Sequence, residues 1–182
     1  MDETTALSGL PYVVIGGIAT RAYMPERFTK DLDVLIAPEA YEEAGRRLTA
    51  AGWRCQQNLT FPSSGLGLFG SHWTRGAADL DVVSSYESWT EEALSRPASD
   101  TTGLRVIALS YLVLMKLDSS RAQDTADISR MLAFVDDETM AAIRSVVTRY
   151  SRDSQALDDL ESLREIGRWE LEVADEERPR QP

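Results

Sequence analysis

A chain of 182 residues is long enough for one sizeable core with a small appendage, and its 43% hydrophobic and 27% charged residues are those of a globular protein. The net charge of -11 argues against a broad DNA-coating surface, because nonspecific binding runs on phosphate neutralisation. The single cysteine, Cys55, excludes a disulfide framework within the chain and fits a reducing, cytoplasmic setting; no signal-peptide pattern opens the sequence, and no apolar run approaches the roughly 18 residues of a membrane span.

Residues 11–15 read as a buried strand, after which Gly16-Gly17 opens a helix expected to run to about Met24, ahead of Pro25. A second strand is expected over 31–37. Pro38 then starts a helix that carries Tyr41, Ala44 and Leu48 and stops at Gly52. Two strands, 53–58 and 66–74, flank the loop Pro62-Ser63-Ser64-Gly65, and Asp79-Leu80-Asp81-Val82-Val83 alternates as a further strand. A short helix is expected near 89–95 and a last short strand at 105–108. From Ser110, read as an N-cap for a helix over 111–118, the pattern turns helical. A second helix carries Ile128, Met131, Leu132 and Val135, a third covers about 138–149, and a fourth, near 154–174, is charged enough to be expected on the surface. This gives an α/β unit over 1–108, a helical part over 109–175 and a tail over 176–182 expected to be disordered.

The chemistry centres on carboxylates. Asp31 and Asp33 are two apart at the start of the apolar run Val34-Leu35-Ile36, so a strand points both the same way. Two carboxylates on one face repel and require a cation, a proton or a basic partner. Asp81 begins Val82-Val83 as Asp33 begins Val34-Leu35, so neighbouring strands would bring all three together. Asp79 shares that face but reads as a solvated strand end. The strand–Gly16-Gly17–helix junction can turn backbone N–H groups toward an anion, or can be a tight turn and nothing more. Arg27 and Thr29 either contact phosphate or fix the loop before Asp31.

The chain has seventeen arginines but only two lysines, Lys30 and Lys116. Lys116 sits in the apolar helical run Tyr111–Leu117, either as a positioned point charge or as a snorkelling side chain with a buried stem. On the first reading Lys116→Arg folds normally but loses activity. Asp124 and Asp127 are three apart and share a helix face, with Arg121 placed to pair with Asp124. His72, the only histidine, reads as structural, and Cys55 as packing. Trp53, Trp73, Trp89 and Trp169 are too dispersed for an obvious base-stacking platform.

Taken in order, Ile15-Gly16-Gly17-x-Ala19, Arg27-x-Thr29-x-Asp31-Leu32-Asp33, Asp81, Met115-Lys116, Arg121 and Asp124-x-x-Asp127-Ile128 resemble the nucleotidyltransferase superfamily that includes polymerase β. Within it the chain is most similar to the AbiEii-type branch, known as toxins of type IV toxin–antitoxin systems and their relatives. The likeness spans residues 12 to about 132. It implies a minimal nucleotidyltransferase fold, a mixed β-sheet flanked by helices with a helical C-terminal part. It implies that Gly16 and Gly17 hold triphosphate oxygens, with Arg27 and Thr29 beside them. Asp31, Asp33 and Asp81 would bind Mg2+, as two ions when NTP is present, and Asp81 would also orient or deprotonate the acceptor hydroxyl. Lys116 would contact the triphosphate, and Asp124 and Asp127 would shape the far side of the site.

The implied reaction moves NMP from NTP to a hydroxyl of RNA, tRNA, protein or a small molecule and releases pyrophosphate. A cognate antitoxin is an implied partner. The chain departs from many AbiEii-type toxins in being shorter, with a small helical part. The rival readings are a small-molecule, antibiotic-type nucleotidyltransferase and a noncatalytic nucleotide- or partner-binding relative. An RNA acceptor would need a concentrated basic patch, for which Arg21, Arg27, Lys30 and Arg75 are the candidates.

Overall fold

The computed structural model describes residues 4–24, 29 and 31–176. Strand β1 (Tyr12–Ile15) runs directly into the short helix α1 (Gly16–Arg21). There follow β2 (Leu32–Ile36), a 3-10 turn at Pro38–Ala40, α2 (Tyr41–Ala50), β3 (Arg54–Thr60), β4 (Leu68–Arg75), β5 (Ala78–Ser85) and α3 (Ser88–Ser95). The short strands β6 (Ala98–Ser99) and β7 (Arg105–Val106) precede α4 (Leu109–Ser119), α5 (Ala122–Ala133), α6 (Asp137–Tyr150) and α7 (Ala156–Glu176). Among the described residues the strands form one seven-stranded mixed sheet in the order β3-β4-β5-β2-β1-β7-β6, flanked by the helices, as in a nucleotidyltransferase-like fold.

The centre of the sheet is built from the apolar runs. Val13, Val14, Val34, Leu35, Ile36, Leu80 and Val82 are all buried. Strands buried on both faces read as continuous hydrophobic runs, and β2 and β1 do so. The β1–β2 and β4–β5 pairs are antiparallel, whereas β2 runs parallel to β5 and β1 parallel to β7. A parallel neighbour needs a long crossover. Here α2 and the β3–β4 hairpin carry the chain from β2 to β5, with Ala44 and Leu48 of α2 buried and Gly52, at φ +84°, turning the chain toward β3.

Several elements differ from the sequence expectation. Helix α1 stops at Arg21, and a turn closed by Met24 N–H donating to the Thr20 carbonyl takes the chain on to Met24. Ser110 does not cap α4; Ala108 holds the cap position and Ser110 lies in the first turn. Val135 falls beyond α5. The expected strand at 105–108 is Arg105–Val106, paired with Ala98–Ser99, a partner too short to show in the pattern. Cys55 is exposed on edge strand β3, not packed inside. The tail beyond Glu176 lies outside the described residues.

Helix α7 is not a free surface element. Its charges cover one side, while Ala156, Leu160 and Leu163 are buried and Arg164 pairs with Asp137 at 2.8 Å. The helices α5 and α7 approach closely at Gly167, where a Cβ would overlap the carbonyl of Ser129 and meet the Ala133 Cβ at 3.1 Å. In a free helix Gly→Ala gains about 1 kcal/mol. Here the added methyl meets backbone, which cannot rotate away, so Gly167→Ala is expected to lose about 1–3 kcal/mol as α7 is pushed off α5. Urea denaturation reads this; a raised midpoint would show that α7 packs more loosely than described.

Candidate active site

The register of the sheet assembles the site. Asp33 of β2 pairs with Asp81 of β5 on one side and with Ile15 of β1 on the other. Neighbouring strands lie about 4.8 Å apart, and laterally paired residues point to the same face. Asp31, two positions before Asp33, is exposed on that face, and Asp79 bears the same relation to Asp81. Because β1 ends at Ile15, helix α1 begins directly beside Asp33.

Gly16 has φ +61°, in the left-handed region, and a Cβ there would overlap the Asp33 carboxylate. At Gly17 a Cβ would stand 2.7 Å from Thr29 Cγ2. The glycine pair therefore has a steric reason independent of any anion: it lets the turn close against Asp33 and Thr29. Gly16, Gly17, Thr29, Asp31, Asp33, Asp81, Lys116 and Asp124 all line one cleft of about 480 Å³. Asp127 lies behind its wall, in contact with Lys116. Arg27 falls outside the described residues, as does Lys30.

The two sides of the cleft carry charge differently. On the strand side, burial, then repulsion from Asp81 and Asp31, pushes the Asp33 carboxyl up to about 7, and Arg121 and Lys116 only partly oppose this. On the helix side the charges are paired. The Lys116 ammonium, 6% exposed, donates to Asp124 Oδ1 at 2.6 Å and to Asp127 Oδ2 at 2.8 Å. Arg121 Nε donates to Asp124 Oδ2 at 2.7 Å, and Gln123 Nε2 to Asp127 Oδ1 at 2.9 Å. Burial raises the Asp124 carboxyl, but hydrogen bonds from Lys116 and Ser119 outweigh it and hold the group below its usual range. Lys116 is thus not a snorkelling side chain: its charged end is buried between two carboxylates that bind α4 to α5.

Among the described residues no group of three or more His, Cys, Asp or Glu side chains stands ready-made as a metal cage. Magnesium does not require one, since it commonly takes one or two carboxylates and completes its shell with water and substrate phosphate. The donor set fits such a cation: oxygen ligands only, with Asp33 short of positive charge.

His72, expected to be structural, stands beside the carboxylates. Its Nδ1 lies 2.6 Å from Asp81 Oδ1 and its Nε2 3.6 Å from Asp79 Oδ1, and the ring lines the cleft. The signal was the hairpin. Gly76-Ala77 is a two-residue turn between the paired Arg75 and Ala78, and counting back along both arms places His72 opposite Asp81. Asp79 is exposed, as a strand end should be, yet it also lines the cleft.

No family model matches the chain, and no curated relative matches it by sequence. Among solved structures it is similar to ANT(2'')-Ia in complex with adenylyl-2''-tobramycin, with TM-score 0.46 and 14% identity over 89% of either chain. It is also similar to the solution structure of the antibiotic-resistance factor ANT(2'')-Ia, with TM-score 0.47 and 15% identity over 97% of either chain. The likeness is one of general shape.

The raised Asp33 carboxyl has a measurable consequence in metal-free buffer. Its folded value of about 7 exceeds the ordinary 3.8, so the folded chain holds this proton more tightly than the unfolded one. Its contribution to stability therefore falls as pH rises from about 4 to about 7 and is level above that. Asp33→Asn removes this slope. The variant is expected to match the parent near pH 4 and to exceed it by on the order of 2 kcal/mol at pH 8, less than the full linkage figure because the carboxyl is partly exposed. Denaturant titrations across this range, in chelator, give the difference; a variant less stable at pH 8 would refute it.

Proposed function

We propose that this chain is a metal-dependent nucleotidyltransferase that moves NMP from NTP to a hydroxyl acceptor and releases pyrophosphate. The observation that carries the reading is the lateral Asp33–Asp81 pair, with Asp31 beside it, short of positive charge and opening onto a cleft against a glycine turn. Asp31, Asp33 and Asp81 would hold Mg2+, which when bound neutralises triphosphate charge and favours attack by a hydroxyl. Gly16 and Gly17 let triphosphate oxygens approach the backbone. Lys116 and Arg121 set positive charge on the facing wall, Lys116 held there by Asp124 and Asp127, and Thr29 with Arg27 borders the phosphate end. In the reaction the acceptor oxygen bonds to the α-phosphorus as the bond from that phosphorus to the bridging oxygen of pyrophosphate breaks. Asp81 faces the acceptor and orients its hydroxyl or takes its proton.

The motif resemblance supports the AbiEii-type branch, with RNA, tRNA or protein as acceptor and a cognate antitoxin as partner. A second hollow favours a smaller acceptor. It measures about 390 Å³, opens beside Asp33 and Asp81, and has apolar walls from Phe61, Leu68, Val83, Leu112 and Met115. Among the described residues the lysine and arginine on the walls of both hollows are Lys116 and Arg121, each already bound to Asp124. Arg75, a candidate for an RNA-binding patch, instead covers Trp53 at 4.7 Å. A small hydroxyl compound with an apolar face suits that hollow. Incubation with each labelled NTP and Mg2+, against total tRNA, lysate protein and a panel of small hydroxyl compounds, separates these acceptors. Label in none of them would favour the noncatalytic reading.

Calorimetry of NTP binding with Mg2+ and with chelator tests the metal site. The parent is expected to bind at least about tenfold more tightly with Mg2+, and Asp33→Asn to lose that dependence. Equal metal dependence in both would sink the site. Asp81→Ala is expected to lower kcat by about 100- to 10,000-fold while changing nucleotide affinity much less.

Lys116→Arg now carries a different expectation from the one its sequence context gave. A planar fork cannot sit where one compact ammonium meets both Asp124 and Asp127, so the variant is expected to lose about 1–3 kcal/mol of stability along with activity. Thermal melting beside the transfer assay checks this, and parent-like values in both would leave Lys116 without either role.

A further inference from the structure

We propose that His72 is a positioning residue for Asp81, fixing that carboxylate in the orientation in which it receives a divalent cation; this rests on the metal-dependent reading of the cleft. A carboxylate oxygen accepts, so the imidazole Nδ1–H donates to Asp81 Oδ1 across 2.6 Å, the length of a strong, charge-assisted bond. One lone pair of one oxygen is used. The Asp81 side chain is 34% exposed and lines the cleft, so acceptor capacity beyond that bond faces the cleft, while the bond limits its freedom to swing.

The imidazole is itself held. His72 lies in β4 directly opposite Asp81, between Ser71 and Trp73, whose side chains point to the other face of the sheet. There Trp73 Nε1 donates to Ser71 Oγ at 2.7 Å, and the Tyr41 hydroxyl donates to the same oxygen at 2.8 Å. The strand is anchored from behind, so the ring is presented to the cleft from a rigid backbone. Asp79 flanks the ring's far nitrogen at 3.6 Å.

A packing role does not account for this placement. The His72 side chain is 27% exposed and lines the polar cleft, whereas the core on that strand is made by Trp73. A group that hydrogen-bonds a metal-ligating carboxylate commonly governs metal affinity by about 10- to 100-fold.

The test uses the full chain and an ATP analogue with a methylene group between the α and β phosphorus atoms, so that binding is read without turnover. Mg2+ is titrated at fixed analogue and followed by calorimetry. In His72→Phe the Mg2+ needed for half-saturation is expected to rise about 10- to 100-fold, with analogue affinity in chelator and the urea midpoint unchanged. In His72→Asn, whose side-chain amide N–H occupies the place of Nδ1–H, most of the parent behaviour should return. His72→Ala makes the same comparison if the phenylalanine variant does not fold. A parent-like Mg2+ requirement in the variants lacking the donor overturns the proposal, as does an asparagine variant no better than they are. A parent whose analogue binding ignores Mg2+ overturns the nucleotidyltransferase reading itself, and the role of His72 with it.

Discussion

The parallel pairing of β2 with β5 is the constraint on which the rest of the site depends. It sets Asp33 beside Asp81 at one strand spacing, with no freedom to separate short of breaking the centre of the sheet. Every neighbouring element then closes on that pair. Strand β1 ends at the level of Asp33, and Gly16 brings the turn into α1 against its carboxylate. On the other flank β4 delivers His72 to Asp81. Two like charges in a half-buried place destabilise the folded chain, and burial, then repulsion from Asp81 and Asp31, holds the Asp33 carboxyl above its usual range. The apolar strands on either side, Val34 to Ile36 and Val82, hold the arrangement against it.

The helix side of the cleft shows the opposite solution to the same difficulty. Asp124 and Asp127 are more deeply buried than Asp33, yet Asp124 is held below the usual carboxylate range because Lys116, Ser119 and Arg121 all reach it. Buried charges that are fully paired act as a strut; removing one partner is costly because the other remains. A carboxylate cluster left short of cations within a few side chains of such a strut is not a failure of the fold to find partners. The chain supplies cations where it needs rigidity and withholds them where, on the proposed reading, the substrate brings its own.

Much of this was legible in the sequence, and the parts that were not have physical reasons. The apolar runs identified the central strands. The parallel between Asp33-Val34 and Asp81-Val82 anticipated neighbouring strands, since both carboxylates mark the point where a buried run begins. His72 reads as structural because a lone histidine between Ser71 and Trp73 has no periodicity of its own; its place opposite Asp81 lies in the cross-strand register set by the Gly76-Ala77 turn. The buried face of α7 was masked by the charges on its other face, and a Gly167 inside a helix reads as a weakness until the backbone it touches is known. Ser110 has the chemistry of a cap, but the helix starts two residues earlier than that cap implies, with Ala108 at the cap position. For Gly16 the sequence offers either an anion-facing junction or a tight turn, and the Asp33 carboxylate that leaves no room for a Cβ there is a tertiary contact that no local pattern contains.

The distribution of charge also orders the events that the proposed reaction requires. A nucleoside triphosphate entering alone would meet Asp31, Asp33, Asp79 and Asp81 on one wall, and on the other the cations Lys116 and Arg121, already engaged by Asp124 and Asp127. The gain from those two cations is reduced by the carboxylates they already serve, and the repulsion from the strand side is not offset. The same strand-side cluster attracts a bare cation, but two or three carboxylates leave most of a magnesium shell to water. Each component therefore lacks what the other carries. A triphosphate supplies the missing oxygen ligands, and the cation supplies the charge that lets phosphate approach aspartate. On this reading the cleft is selective for the pair, and the repulsion built into β2 and β5 is what makes binding of the two components cooperative.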